Sequence, residues 1–133
     1  MIYFDSSALI KLITAEPESK ALSEWVRGNS RRSRTTSAVS KVDVMRSFKG
    51  RGPAVEDLAS IVLSKIDQLP VQQEMLDIAS RMRCPVGSVE AIHLATASMM
   101  HGALHAFVSY DPVVLEAARE GGLTTVSPGA TLA

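Results

Sequence analysis

Short apolar runs alternate along this chain with stretches whose apolar residues recur every three or four positions. Ile2-Tyr3-Phe4 reads as a short buried strand. Ser6 or Ser7 can then cap a helix carrying Ala8, Leu9, Leu12 and Ile13. Pro17 suits the start of a second helix, whose face holds Ala21, Leu22, Trp25 and Val26 and which ends at Gly28-Asn29-Ser30. Arg34–Ser37 is the second strand. Ser37 or Ser40 starts a helix with Val42, Met45 and Phe48 turned inward, closed by Gly50 and Gly52-Pro53.

The spacing of Leu58, Ile61, Val62 and Ile66 predicts a helix over Val55–Ile66 with those four residues inward. Gln68–Val71 is a weak strand, and Pro70 favours a sheet edge for it. Helices over Gln72–Met82, Ser88–Met100 and Pro112–Glu120 follow, with strands at Ala106–Ser109 and Leu123–Val126. Ser88 is the expected cap of the second of these helices. Alternating strands and helices imply an α/β fold with parallel strands joined by helical crossovers. No repeat or linker interrupts the pattern, so residues 1–133 are expected to form one domain.

Composition narrows the picture. The chain is 46% hydrophobic, enough to build a core and to argue against wholesale disorder. Its single cysteine, Cys84, cannot close an internal disulfide, and no Cys/His cluster suggests zinc. Asp5 interrupts the N-terminal apolar run, so no signal peptide is expected, and no apolar run is long enough for a membrane span. A cytoplasmic protein is the simplest expectation. Net charge is zero, but residues 1–53 carry a net +5 and residues 54–133 a net −5. Arg27, Arg31, Arg32 and Arg34 concentrate part of the excess in one polar segment, suited either to phosphates or to plain solvation.

The candidate chemistry lies in four acids. Asp5 follows the first strand, Asp111 follows the strand ending at Ser109, and Asp43 and Glu90 sit near the starts of two helices. Open parallel sheets bind ligands beyond the carboxyl ends of their strands, and acids gathered there repel unless a cation or protons intervene. An all-oxygen donor set points to a divalent metal, Mg²⁺ or Mn²⁺. Each acid alone also fits helix capping or a helix surface. Four in equivalent topological positions are more than capping requires. Ser6 and Ser109 flank the acids and can support them through hydrogen bonds. His93 lies one helical turn beyond Glu90, but its apolar neighbours favour a structural role, and Trp25 reads as a core residue.

Four segments together resemble the PIN-domain nucleases: Met1–Leu12 around Asp5, Thr36–Asp43, Val89–Ala97 around Glu90, and Phe107–Asp111. Their order and spacing cover nearly the whole chain, whose length is similar to that of the VapC toxins of bacterial toxin–antitoxin pairs. The resemblance implies a PIN-like three-layer α/β/α fold with a central, mainly parallel sheet. It also implies a Mg²⁺-dependent endoribonuclease, a homodimer, and a cognate VapB-type antitoxin that neutralises it. Carried over by position, Asp5 and Glu90 would be the main metal ligands. Asp43 and Asp111 would complete the acidic site and Ser109 would support it. Apart from the resemblance, the basic charge of Arg31, Arg32 and Arg34 suits them to contact RNA phosphates or the antitoxin.

Two positions depart from the family's usual pattern, which has Glu in place of Asp43 and Asp in place of Glu90. The alternatives are a catalytically weak PIN domain kept for binding, or a phosphoreceiver-like signalling domain. The second lacks paired acids after the first strand, where Ser6-Ser7 follow Asp5, and no Lys follows Lys65. A phosphatase with an Asp-x-Asp motif fails at Ser7.

Overall fold

The computed structural model describes residues 1–130. Five parallel strands form the sheet: β1 (Ile2–Phe4), β2 (Arg34–Ser37), β3 (Asp67–Leu69), β4 (Ala106–Val108) and β5 (Thr125–Val126). Their order is β3-β2-β1-β4-β5, and every neighbouring pair is parallel. Seven helices connect them: α1 (Ser6–Ile13), α2 (Ser19–Gly28), α3 (Val39–Phe48), α4 (Pro53–Ser64), α5 (Gln73–Arg81), α6 (Ser88–Met99) and α7 (Pro112–Glu120).

Alternation along the strands divides the core between two faces. Ile2 and Phe4 point to one side, where α1 to α4 supply Leu9, Leu22, Val44, Phe48 and Leu63. Tyr3 and Phe107 point to the other, against Leu94, Ala97, Val114 and Ala118 of α6 and α7. The result is the expected three-layer α/β/α arrangement. β1 has a fully buried face on both sides, which is why three consecutive apolar residues suffice to define it.

The chain runs outward from β1 to β3 on one side, then crosses to β4 and β5 on the other. Strand order therefore reverses between β1 and β4. The crevice at that reversal, beyond the strands' C-terminal ends, is where such sheets receive ligands.

Several local expectations need correction. The cap of α1 is Asp5 itself, whose carboxylate accepts the Ala8 N–H, while Ser6 and Ser7 are already helical. Gly87, not Ser88, precedes α6 and offers no side-chain cap. Helix α2 starts at Ser19, two residues after Pro17, and α3 starts at Val39. Val42 is 60% exposed; Phe48 is buried as expected, and Ser40 and Val44 complete the buried face of α3. On α4 the inward stripe is Ala59, Leu63 and the following Ile66, leaving Leu58 and Ile61 exposed. Small Ala59 lets α4 sit close to its neighbours, a role that a count of large apolar residues misses. β3 is an edge strand, as Pro70 suggested.

Candidate metal centre

Asp5 leaves β1 at its C-terminal end and turns the chain into α1. Its carboxylate is buried, 3% exposed, and fully engaged. Oδ1 accepts the Ser7 hydroxyl at 2.7 Å and the Ala8 N–H at 3.0 Å. Oδ2 accepts the Ser109 hydroxyl at 2.6 Å across the β1–β4 boundary. The Tyr110 N–H donates to Ser7 Oγ at 2.9 Å, and the Asp111 N–H donates to Ser109 Oγ at 3.2 Å. Two serines thus lock the β4–α7 turn onto Asp5.

Burial pushes the Asp5 carboxyl up to about 6. Hydrogen bonds from Ser109, Ser7 and the Ala8 amide oppose the rise, and the charge of Asp111 adds to it. Asp111 caps α7, its Oδ1 accepting Val113 N–H at 2.9 Å and Val114 N–H at 3.3 Å. Capping and membership of an acidic pair coexist in both residues.

Asp43 and Glu90 stand apart from this network. Asp43 lies one turn into α3, on the side whose charge is felt at His93. Glu90, in the first turn of α6, is folded back over Gly87, where an added Cβ would lie 2.5 Å from its Oε2. That position sets the carboxylate against the positive end of its own helix. Among the described residues, no three His, Cys, Asp or Glu side chains stand close enough to hold an ion as they are placed. The donors nevertheless fit a hard divalent cation in kind. Every one is a carboxylate oxygen, and the innermost is buried where the charge of a second acid, Asp111, reaches it. Ligation by four residues requires Asp43 and Glu90 to swing inward.

Ser109 supports Asp5 as expected, but Ser6 does not touch it. Ser7 takes that role, through the local contact between a helix cap and the residue two positions on. Ser6 Oγ instead meets His93 Nε2 at 2.9 Å, while Tyr3 Oη meets Nδ1 at 2.7 Å. His93 is buried, and burial depresses it to about 4, so the ring is neutral near pH 7 and a poor base. Trp25 packs against the core at its edge, as expected.

A cleft of about 320 Å³ opens beside the pair, lined by Ser7, Ile10, Lys11, Glu16, Tyr110 and Asp111. Lys11 Nζ bridges Glu16 at 2.9 Å and Glu18 at 2.8 Å, and lies 5.0 Å from the centre of the Tyr110 ring. Burial would lower the Lys11 ammonium, but its hydrogen bonds to Glu18 and Glu16 carry it above its usual range. This cluster was not expected from the sequence; the nearby spacing of Lys11, Glu16 and Glu18 was its only trace. A larger groove of about 560 Å³ runs past Arg83, Cys84, Pro85 and Glu116. Asp5, Ser7, Ser109 and Asp111 do not line it.

Arg31, Arg32 and Arg34 are not brought to the acids. Arg34 pairs in register with Ile2 at the N-terminal ends of the strands, opposite the ends that carry Asp5 and Asp111. Arg31 and Arg32 are exposed in the loop before it.

Comparison with known proteins bears on the family and the fold. The PIN domain family model matches residues 2–120. Ribonuclease VapC47 of Mycobacterium tuberculosis is 37% identical over 134 residues, covering 98% of each chain. A toxin–antitoxin complex from Klebsiella pneumoniae contains a chain with a TM-score of 0.70 at 23% identity, covering 96% of this chain and 98% of that one. Mycobacterium tuberculosis VapC20, described as a sarcin–ricin loop cleaving toxin, gives a TM-score of 0.73 at 17% identity, covering 96% and 100%. These two structures share its fold.

Proposed function

The chain belongs to the PIN domain family, and on that premise we propose that it is a metal-dependent endoribonuclease, the toxin of a type II toxin–antitoxin pair. The observation that carries the reading is the buried Asp5 carboxylate at the sheet's switch point, fixed by Ser7 and Ser109 and paired with Asp111. A relative named as a ribonuclease over nearly its whole length supports the same reaction class. The whole chain acts as one PIN domain.

Asp5, Asp43, Glu90 and Asp111 would hold the ion, with Asp5 and Glu90 as the main ligands. Mg²⁺ is the ion we propose, with Mn²⁺ as the alternative, because the donors are all hard oxygens. When bound, such an ion stabilises the negative charge that builds on a phosphodiester during hydrolysis. The protein's share is positional. Ser7 and Ser109 hold the Asp5 carboxylate in one orientation, and the Asp5–Asp111 repulsion favours the cation's arrival. His93, neutral and occupied on both nitrogens, leaves general-base work to the acids or to solvent. The cleft along Ser7, Lys11, Tyr110 and Asp111 is where the RNA strand would approach.

The proposed partners are RNA, a VapB-type antitoxin that blocks the site, and a second copy of the chain. The proposed place of action is the cytoplasm; among the described residues no helix is long and apolar enough to cross a membrane. The test is cleavage of a mixed RNA pool by the purified protein. Cleavage that needs added Mg²⁺ or Mn²⁺, stops with EDTA and vanishes in Asp5→Asn is the expected result. Equal cleavage by Asp5→Asn, free of contaminating nuclease, would remove this site from the reaction.

A further inference from the structure

Tyr3 and Ser6 bracket Asp5 in the chain, two residues before it and one after. Both side chains end on the same imidazole. Tyr3 Oη lies 2.7 Å from His93 Nδ1, and Ser6 Oγ lies 2.9 Å from Nε2. The ring is 1% exposed and its partners come from β1 and α1, while His93 itself sits on α6, one turn past Glu90. A neutral imidazole offers one donor and one acceptor, and a hydroxyl can match either. Tyr3 is itself held by stacking on Phe107 of β4, with ring centres 5.5 Å apart and planes within 6°. It also meets the His93 ring edge-on at 5.7 Å. His93 therefore joins three elements, β1, α1 and α6, through the residues that flank Asp5.

We propose that His93 is a positioning residue that fixes the β1–α1 junction to α6, and so sets where Asp5 stands relative to Glu90. This rests on the metal-centre reading above. A carboxylate at a strand–helix junction follows the backbone that carries it, and Ser6 is the next residue along that backbone. The arm to Ser6 therefore acts on Asp5 most directly. The arm to Tyr3 anchors the ring to the sheet and contributes mainly to stability.

The two arms can be separated by amides. In His93→Gln the side-chain amide can reach the place of Nε2 and keep Ser6. In His93→Asn it can reach the place of Nδ1 and keep Tyr3 instead. The measurement is Mn²⁺ binding to the full chain, by calorimetry or electron paramagnetic resonance without RNA, with folding checked by circular dichroism. His93→Asn and Ser6→Ala should each weaken Mn²⁺ binding about tenfold, the usual scale for residues that orient a ligand. Their double variant should be no weaker than either alone, because they break one contact. His93→Gln should bind within about twofold of the parent, and Tyr3→Phe should lower the melting temperature while leaving Mn²⁺ affinity nearly intact.

Equal Mn²⁺ affinity in Ser6→Ala and the parent overturns the proposal, and Ser6→Ala keeps the test decisive if the buried His93 variants do not fold. Asp5→Asn separates the two layers of the argument. Loss of Mn²⁺ in Asp5→Asn with no effect of Ser6→Ala sinks only the positioning role. Retention of Mn²⁺ in Asp5→Asn sinks the metal centre on which that role depends.

Discussion

At the residue scale, Asp5 carries a cost, because its carboxylate is buried. Its carboxyl is raised to about 6 by burial, against about 3.8 for the free group. Below about 3.8 it is protonated whether the chain is folded or not, and it costs nothing. As pH rises through about 6 the folded protein must ionise it in a dry setting, and stability falls. Without metal, Asp5→Asn should therefore stabilise the protein near neutral pH by about 1–3 kcal/mol, the scale of a two-unit shift less imperfect amide contacts. His93 acts in the opposite sense: depressed to about 4, it adds stability above its ordinary value near 6.5, and that is lost as pH falls. His93 is common to both proteins, so their difference isolates Asp5. Urea titrations in EDTA at about pH 8 and about pH 4.5 provide the check. A stability gap that does not shrink in acid would mean that the carboxylate is not strained. The exchanged acids make a second case. Glu90 reaches back over Gly87, which a side chain one methylene shorter would do less readily. If Asp43 and Glu90 meet one ion, Asp43→Glu and Glu90→Asp should each weaken metal affinity, and the double variant should recover beyond the sum of the two. Strict additivity in metal titrations would assign them to no common ion.

At the scale of elements, periodicity located the helices but misjudged two of their faces. On α4 every third or fourth residue is apolar in more than one frame, so Leu58 and Ile61 compete with Ala59 and Leu63 for the inward stripe. The contacts of α4 with α1 and α3 settle the choice. Leu63→Ala should then cost about 2–5 kcal/mol, as for a buried Leu elsewhere, while Ile61→Ser should change monomer stability by about 0.5 kcal/mol or less. Denaturant midpoints measured at low protein concentration test both. Comparable losses would place Ile61 in the core as well. The strands were easier to read. β1, β2 and β4 stand at the centre of the sheet, where burial on both faces leaves continuous apolar or Thr-rich runs. Helix starts were harder, because Asp5 does two jobs: its capping bond looks ordinary, and its bonds to Ser7 and Ser109 are what distinguish it.

At the scale of the whole molecule, parallel strands give the sheet two unlike ends. The acids lie at the carboxyl ends, and Arg31, Arg32 and Arg34 lie at the other. Exchanging the three arginines for Gln should reduce the salt dependence of RNA binding, by up to about 0.7 in log–log slope per lost phosphate contact. The cleavage rate at saturating RNA should stay within about twofold, because the substitutions are remote from the cleft. An unchanged slope in filter-binding assays would return the segment to plain solvation. A large fall in the saturated rate would show that the RNA spans both ends during cleavage. The sequence by itself determined the order of elements, the parallel α/β class and the family, because these depend on local periodicity and on short motifs whose order survives without coordinates. It also determined which acids are candidates, since each follows a strand or lies near the start of a helix. Tertiary structure alone decided which of them meet. Asp5 joins Ser109 and Asp111 because β1 and β4, about a hundred residues apart in the chain, are neighbours in the sheet. Ser6 turns to His93, and Ser7 to Asp5, because α1 rises from the sheet at an angle that no pattern along the chain records. Contacts between distant segments depend on packing, and packing is a property of the folded whole.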